Sequence, residues 1–205
     1  MKTLVIFNHP YEGSYCNAIL TACKKGLSQA HKEADVINLD KECFNPVMSE
    51  EELKAFAIAH NNPREAFSML SPQVLDYQKR LQQAEHIVFI FPIWWMLMPA
   101  LTKGFIDKTF FPGIAFNYDS SGNMKGLLHY IKQVTVITTM AMPGFYYETK
   151  MGNAVWKALL HGTFESVGLN NCKWINIDDI KNLTDAERVE RLQDIEDYFA
   201  GVTAL

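Results

Sequence analysis

Five short apolar runs recur along the chain, each followed by a stretch with helical spacing. Thr3 to Asn8, Ala34 to Leu39, His86 to Phe91, Gln133 to Thr139 and Lys173 to Ile177 are rich in Val, Ile, Phe and Thr. The longest of them are apolar with little polar alternation, which marks strands covered on both faces, as in parallel sheets. Tyr15 to Ala30 follows the first run and carries Ala18, Ile19, Ala22, Cys23, Gly26 and Leu27 on one side of a helix. Pro72 opens a second helix to about Ala84, and Pro99 to Phe110 a third, with Leu101 and Phe105 four apart on one face. Met151 to Val167 reads as a helix closed by Gly168, and Thr184 to Phe199 as the last, with Thr184 and Glu187 as a capping box. Asp40 to Ser71 looks irregular except for a helix started by Ser49 and Glu52. Pro112 to Gly126 is turn-rich, and Met140 to Lys150 reads as a loop punctuated by Pro143-Gly144. Strands alternating with helices predict a doubly wound α/β domain, a five-stranded parallel sheet between two helical layers, with residues 1–205 as a single domain.

Composition narrows the class. The 205 residues are 48% apolar and 12% aromatic, enough for one sizeable core with a pocket for a cofactor. With 23 acidic against 19 basic residues and no basic cluster, nucleic acid is not an expected partner. Cys16, Cys23, Cys43 and Cys172 show no CxxC spacing, so reduced thiols in a cytoplasmic protein are expected and a metal site is not. Met1-Lys2 leads into an apolar run of about six residues, too short for a signal peptide or membrane span.

Chemistry is expected where strands end, because open parallel sheets bind ligands beyond the carboxyl ends of their strands. After the first strand, Ser14, Tyr15 and Cys16 open a helix whose unpaired N–H groups make a phosphate cradle, with His9 beside it. There is neither GxGxxG nor a Walker lysine, which disfavours a dinucleotide fold and a nucleotide triphosphatase. After the third strand, Pro92-Ile93-Trp94-Trp95-Met96 forms a bulky, flat, apolar wall suited to a planar ring. After the fourth, Thr138-Thr139-Met140-Ala141 offers hydroxyls and amides for a ring's polar edge. Each loop alone is equally well an N-cap, a core plug or a surface turn. Their coincidence at one sheet edge is the signal.

The residues His9-Pro10…Gly13-Ser14-Tyr15-Cys16, then Phe91-Pro92-Ile93-Trp94-Trp95…Pro99-Ala100-Leu101-Thr102-Lys103-Gly104-Phe105-Ile106-Asp107-Lys108, then Thr138-Thr139, resemble the flavodoxin-like NAD(P)H:quinone oxidoreductases over nearly the whole chain. That family includes the ancillary flavoproteins of potassium-efflux systems. The resemblance implies strand order 2-1-3-4-5 and a flavin with its phosphate on Ser14, Tyr15 and Cys16 beside His9. The ring would lie against Pro92, Ile93, Trp94, Trp95 and Met96, with its polar edge at Thr138, Thr139, Met140 and Ala141. NAD(P)H would be the co-substrate, a quinone-like electrophile the acceptor, and turnover ping-pong. Tyr146 takes the place of the family tyrosine near the substrate pocket and is the catalytic candidate, with Tyr147 as understudy.

The chain departs from the family pattern in three places. Met140-Ala141 replaces Gly-Gly. Gly152 replaces the histidine six residues beyond the tyrosine, so the tyrosine–histidine proton relay does not carry over. Cys16 stands where some members have an asparagine toward the adenosine half of FAD, which favours FMN with FAD as the alternative. A homodimer is expected, because Trp94, Trp95, Met96, Phe110, Phe111, Phe116, Phe145 and Tyr146 are a heavy apolar load for a monomer. The chief rival is a regulatory flavoprotein, not itself integral to the membrane, that clamps a transporter. A one-electron carrier is disfavoured by the near-neutral charge.

Overall fold

The computed structural model describes residues 1–201. Five parallel strands form one sheet: β1 (Thr3–Phe7), β2 (Ala34–Asn38), β3 (His86–Pro92), β6 (Gln133–Thr139) and β7 (Cys172–Ile177). They lie in the order β2-β1-β3-β6-β7, which is 2-1-3-4-5 among the parallel strands. Thr3 pairs with both Ala34 and His86, His86 with Gln133, and Val134 with Cys172. Strands β1 and β3 are buried at every position, as the lack of polar alternation predicts.

Successive residues send side chains to opposite faces, so each strand feeds two cores. Val5, Phe7, Val88, Ile90 and Ile137 pack under α1 (Tyr15–Gln29) and α7 (Asp185–Ala200). Leu4, Ile6, Ile87, Phe89, Phe91, Val134 and Val136 pack under α4 (Pro72–Gln83), α5 (Ala100–Thr109) and the helix Val155–Phe164. Helices α1 and α7 cross closely at Gly26: a Cβ there would collide with the Glu196 carbonyl oxygen.

Four regions differ from the sequence reading. Asp40 to Ser71 contains two helices, α2 (Glu50–Ile58) with its expected capping box and α3 (Pro63–Ser68), started by Asn62 and Pro63. The turn-rich excursion is a small hairpin, β4 (Phe116–Tyr118) with β5 (Met124–Gly126). Asp119 closes it by accepting the N–H groups of Ser121 and Asn123 at 2.9 and 3.0 Å. The loop after β6 holds a short helix, α6 (Gly144–Thr149). The helix expected from Met151 begins at Val155 and is π-wound to Phe164. Its start is delayed because Gly152 and Asn153 are left-handed (φ +82° and +51°), which interrupts the helix. The Thr163 hydroxyl bonds the Ala158 carbonyl five residues back at 2.9 Å, in keeping with the wider winding. Gly168 ends the segment at φ +94°, as expected.

The ends of β1, β3 and β6 thus share one edge of the molecule, flanked by the starts of α1, α5 and α6. Three strand-end loops and three helix starts therefore line this edge.

Candidate active site

Strand β1 ends on a buried anchor. Asn8 donates to Asp40 at 2.8 Å and accepts from the Thr102 hydroxyl at 2.9 Å, tying β1 to α5 and to the loop after β2. His9 follows and accepts the Tyr11 N–H on Nδ1 at 3.1 Å, which assigns its own proton to Nε2. Burial lowers its pKa below 6.5, with Asp40 opposing. Near neutral pH His9 therefore offers a hydrogen-bond donor and not a positive charge.

Ser14 is the N-cap of α1. Its Oγ accepts the Asn17 backbone N–H at 3.3 Å and the Asn17 amide at 3.1 Å, so its own proton remains available. The N–H groups of Tyr15 and Cys16 are the first two of the helix and have no intrahelical acceptor. Their side chains do other work. The Tyr15 hydroxyl donates to the Arg188 carbonyl at 2.6 Å, docking α1 on α7. Cys16 is buried with Sγ 3.4 Å from the Thr139 hydroxyl, and burial pushes its thiol up to about 11. It is a neutral packing group, not a nucleophile.

Strand β3 ends at Pro92, and Ile93 donates to the Thr139 carbonyl at 2.8 Å, holding this wall against β6. The next four residues form a tight reversal. Trp94 N–H donates to Leu97 C=O at 2.9 Å and Leu97 N–H to Trp94 C=O at 3.1 Å. Trp95 and Met96 between them are both left-handed, at φ +49° and +69°. Such a type I′ turn normally holds Gly, Asn or Asp. Two other residues there carry strain of about 1–2 kcal/mol each. Trp94 lies edge-on to His9, ring centroids 6.0 Å apart, whereas Trp95 is 95% exposed. The N–H groups of Trp95 and Met96 have no acceptor among the described residues.

The loop after β6 departs most from expectation. The Thr138 hydroxyl was expected at the ring's edge. It is fully buried instead, donating to Asn176 and accepting from the Trp174 indole, both at 2.8 Å. Alternation along β6 turns Thr138 toward β7 and Thr139 toward Cys16. The Met140 N–H is likewise engaged, by the Ile177 carbonyl at 3.1 Å. Ala141 is exposed and its N–H is unclaimed among the described residues. Asp178 accepts the Gly144 N–H and so fixes the start of α6.

Tyr146 and Tyr147 lie on opposite sides of α6. Tyr146 is 49% exposed, and its hydroxyl has no protein partner among the described residues. Tyr147 is wholly buried. Its hydroxyl donates to the Met96 carbonyl at 2.8 Å and accepts the Val155 N–H at 3.0 Å. It therefore cannot stand in for Tyr146 at a substrate. Nothing in the local sequence separates the two tyrosines; only the short helix assigns their faces. Trp174 and Asn176 on β7 and Asp178 just after it, which shape this edge, also lacked any sequence signal.

The edge thus gathers unengaged donors from α1 (Ser14 hydroxyl, Tyr15 and Cys16 amides), from the β3 turn (Trp95 and Met96 amides) and from the β6 loop (Ala141 amide). A helix N-terminus beside an apolar wall suits a phosphorylated planar ligand. Among the described residues no group of three His, Cys, Asp or Glu side chains could hold a metal ion.

Fold and edge together define a flavodoxin-like α/β protein. The family model described as Flavodoxin-like fold matches residues 1–199, and the chain belongs to that family. A Haemophilus influenzae protein named as an NAD(P)H oxidoreductase is 26% identical over 189 residues, 92% of this chain and 89% of that one. NAD(P)H dehydrogenase (quinone) 1 of Cavia porcellus is 28% identical over 153 residues, 71% of this chain but 55% of that longer protein. Among solved structures, an FMN-dependent NADH-azoreductase from Bacillus anthracis in complex with FMN superposes with TM-score 0.80. It is 18% identical, and the match covers 99% of both chains.

Proposed function

We propose that the chain is a flavin-dependent NAD(P)H dehydrogenase of the quinone-reductase type, with FMN as its cofactor. The carrying observation is the convergence of three sets of unengaged donors on one apolar sheet edge. The bound FMN of the azoreductase neighbour and the activities for which the relatives are named support the same reading.

The donor set fits the group. The Ser14 hydroxyl and the Tyr15 and Cys16 amides would hold the phosphate, with His9 as a further donor. Pro92, Ile93, Trp94 and the Trp95-Met96 turn would flank the ring. The Trp95, Met96 and Ala141 amides would meet its polar edge; Thr138 and Met140 would support that edge from behind. A bound flavin would supply the redox chemistry, accepting reducing equivalents from NAD(P)H and delivering them, in ping-pong order, to a quinone-like acceptor in the same cleft. The protein's part is to orient both partners, supply fixed donors where negative charge develops, and keep water off the ring face. The half-exposed Tyr146 hydroxyl would donate a hydrogen bond to an acceptor oxygen.

A homodimer in the cytoplasm completes the proposal. Met48, Leu53, Phe56, Phe110, Phe116 and Met124 line an open apolar groove of about 400 Å³ at the C-terminal end of α5. A face of that kind suits a second copy. No helix among the described residues is long and apolar enough to cross a membrane.

The test is direct. Purified protein should be yellow or become so with FMN, and mass analysis of the released chromophore identifies it. Anaerobic NADH or NADPH should bleach it, and benzoquinone should restore the colour over many turnovers. A protein that stays colourless with FMN and FAD refutes the reading. A bound flavin inert to both nicotinamides would favour the transporter-clamp alternative.

A narrower expectation concerns Tyr146→Phe. Losing one hydrogen bond to the acceptor should lower kcat/KM for the quinone about 5- to 20-fold. FMN content and the rate of flavin bleaching should stay within about twofold. Equal quinone turnover in the two proteins would remove Tyr146 from the mechanism.

A further inference from the structure

The geometry points to Tyr147 as a positioning residue: its buried hydroxyl clamps the strained Trp95-Met96 turn to the start of the π-wound helix, and so controls the two amides offered to the flavin. This inference rests on the flavin reading for its functional half and on the bare protein for its structural half.

The turn needs an external hold. Its two central residues are left-handed without being glycine, and its own closure consists of the two Trp94–Leu97 bonds. Both central side chains are large. Trp95 is almost wholly exposed and contributes no burial to hold its backbone in place. A turn of this kind persists when its surroundings over-determine it.

Tyr147 provides that hold from a rigid base. Its ring is 0% exposed and packs edge-on to Trp174, centroids 6.0 Å apart. Trp174 is itself fixed by its indole bond to Thr138. The hydroxyl donates to Met96 C=O, inside the turn, at 2.8 Å. It can donate there because it accepts elsewhere, from the Val155 N–H at 3.0 Å. Val155 is the first residue of the π-wound helix, so this N–H has no intrahelical acceptor. One hydroxyl thereby joins the loop after β3, helix α6 and the helix Val155–Phe164. Both of its polar functions are engaged, and it stays protonated because burial raises its pKa.

The consequence for the site is orientational. Holding the Met96 carbonyl inward fixes the peptide after Met96 and restrains the two amides before it, those of Trp95 and Met96. These are the amides with no acceptor among the described residues, and at a flavin they act only if they do not turn away. Tyr147 never touches the ring; it acts through Met96.

Tyr147→Phe keeps the ring and deletes the clamp. The first readout uses protein free of flavin: amide hydrogen exchange in the segment 93–98. Loss of a buried hydrogen bond should speed exchange there about tenfold, while β6, residues 133–139, stays unchanged. Unchanged exchange at 93–98 overturns the inference. Equal acceleration in β6 also overturns it, since that marks a general loss of stability. The second readout is the midpoint potential of bound FMN. It should become more negative in Tyr147→Phe, by about 30 mV for each tenfold loss of preference for the reduced ring. An unaltered potential overturns the functional half. Should the wild-type protein bind no flavin at all, the function proposed above fails, and the exchange result still decides whether Tyr147 is the clamp.

Discussion

Replacing Ser14 by aspartate is expected to abolish tight FMN binding without weakening the fold. Aspartate caps helices as well as serine does and interacts favourably with the helix dipole, so α1 keeps its start. Its Oδ can accept the Asn17 amides that Ser14 Oγ accepts now. The ligand, however, meets a carboxylate where it met a hydroxyl. Two like charges about 4 Å apart in a partly screened site repel by about 4 kcal/mol, close to a thousandfold in affinity. Titration of the flavin-free protein with FMN should show this loss, and thermal unfolding should shift by no more than a degree or two. Riboflavin, which has no phosphate, provides the control: its weaker binding should be nearly equal in the two proteins. If Ser14→Asp binds FMN normally, the phosphate does not sit at the start of α1, and the orientation proposed for the cofactor fails with it.

The largest effect on stability is expected at Lys108, far from that chemistry. Lys108 on α5 and Glu52 on α2 are both nearly inaccessible, with Nζ 3.0 Å from Oε2. The ammonium also lies 5.8 Å from the centre of the Phe44 ring. Glu52 does double duty, because the same Oε2 accepts the Ser49 N–H at 2.7 Å in the capping box of α2. Burial alone would raise the Glu52 pKa; the Ser49 amide and Lys108 together outweigh it and lower the value. Lys108→Ala leaves a buried carboxylate without its cation and should cost about 3–5 kcal/mol.

The pH dependence has a definite sign. A carboxyl whose folded pKa lies below its unfolded value stabilises the fold above the unfolded value, and that contribution disappears as pH falls through the folded one. The deficit of Lys108→Ala should therefore be full at pH 7 and shrink as pH falls, because Glu52 without its cation takes up a proton at a higher pH than the paired Glu52 does. Pairing Glu52→Gln with Lys108→Met should recover most of the loss, because glutamine still completes the capping box and methionine fills the lysine's volume. Denaturant unfolding at pH 7 and pH 4 measures all of these. A Lys108→Ala protein within 1 kcal/mol of wild type at pH 7 would show that the pair contributes nothing to the link between α2 and α5.

The candidate site was legible to different depths in its three loops. The helix start at Ser14 could be read because N-capping is local: a serine after a strand and before an apolar helical stripe caps the helix, and the unpaired amides of Tyr15 and Cys16 follow from that. The wall at Pro92 to Met96 could be read as bulky and apolar, yet its left-handed turn could not, since neither Trp95 nor Met96 belongs to the residue types that signal one. The loop after β6 misled. Two adjacent threonines look alike in sequence, but alternation along β6 sends Thr138 into a bond with Asn176 and Thr139 toward Cys16. Tyr146 and Tyr147 posed the same problem on a helix.

The chain's own pattern was sufficient for the parallel sheet, its order of elements and the three strand ends that share one edge, because continuous apolar runs, caps and terminal glycines act through near neighbours. Only the folded structure decided which donors remain unengaged there, which tyrosine faces outward, and where the last broad helix begins. Those outcomes depend on contacts between residues far apart in sequence, such as Tyr147 with Met96, Trp174 with Thr138 and Asp178 with Gly144. A hydrogen bond across such a separation leaves no period or spacing in the chain, and closing the loops that make it is the work of the whole core.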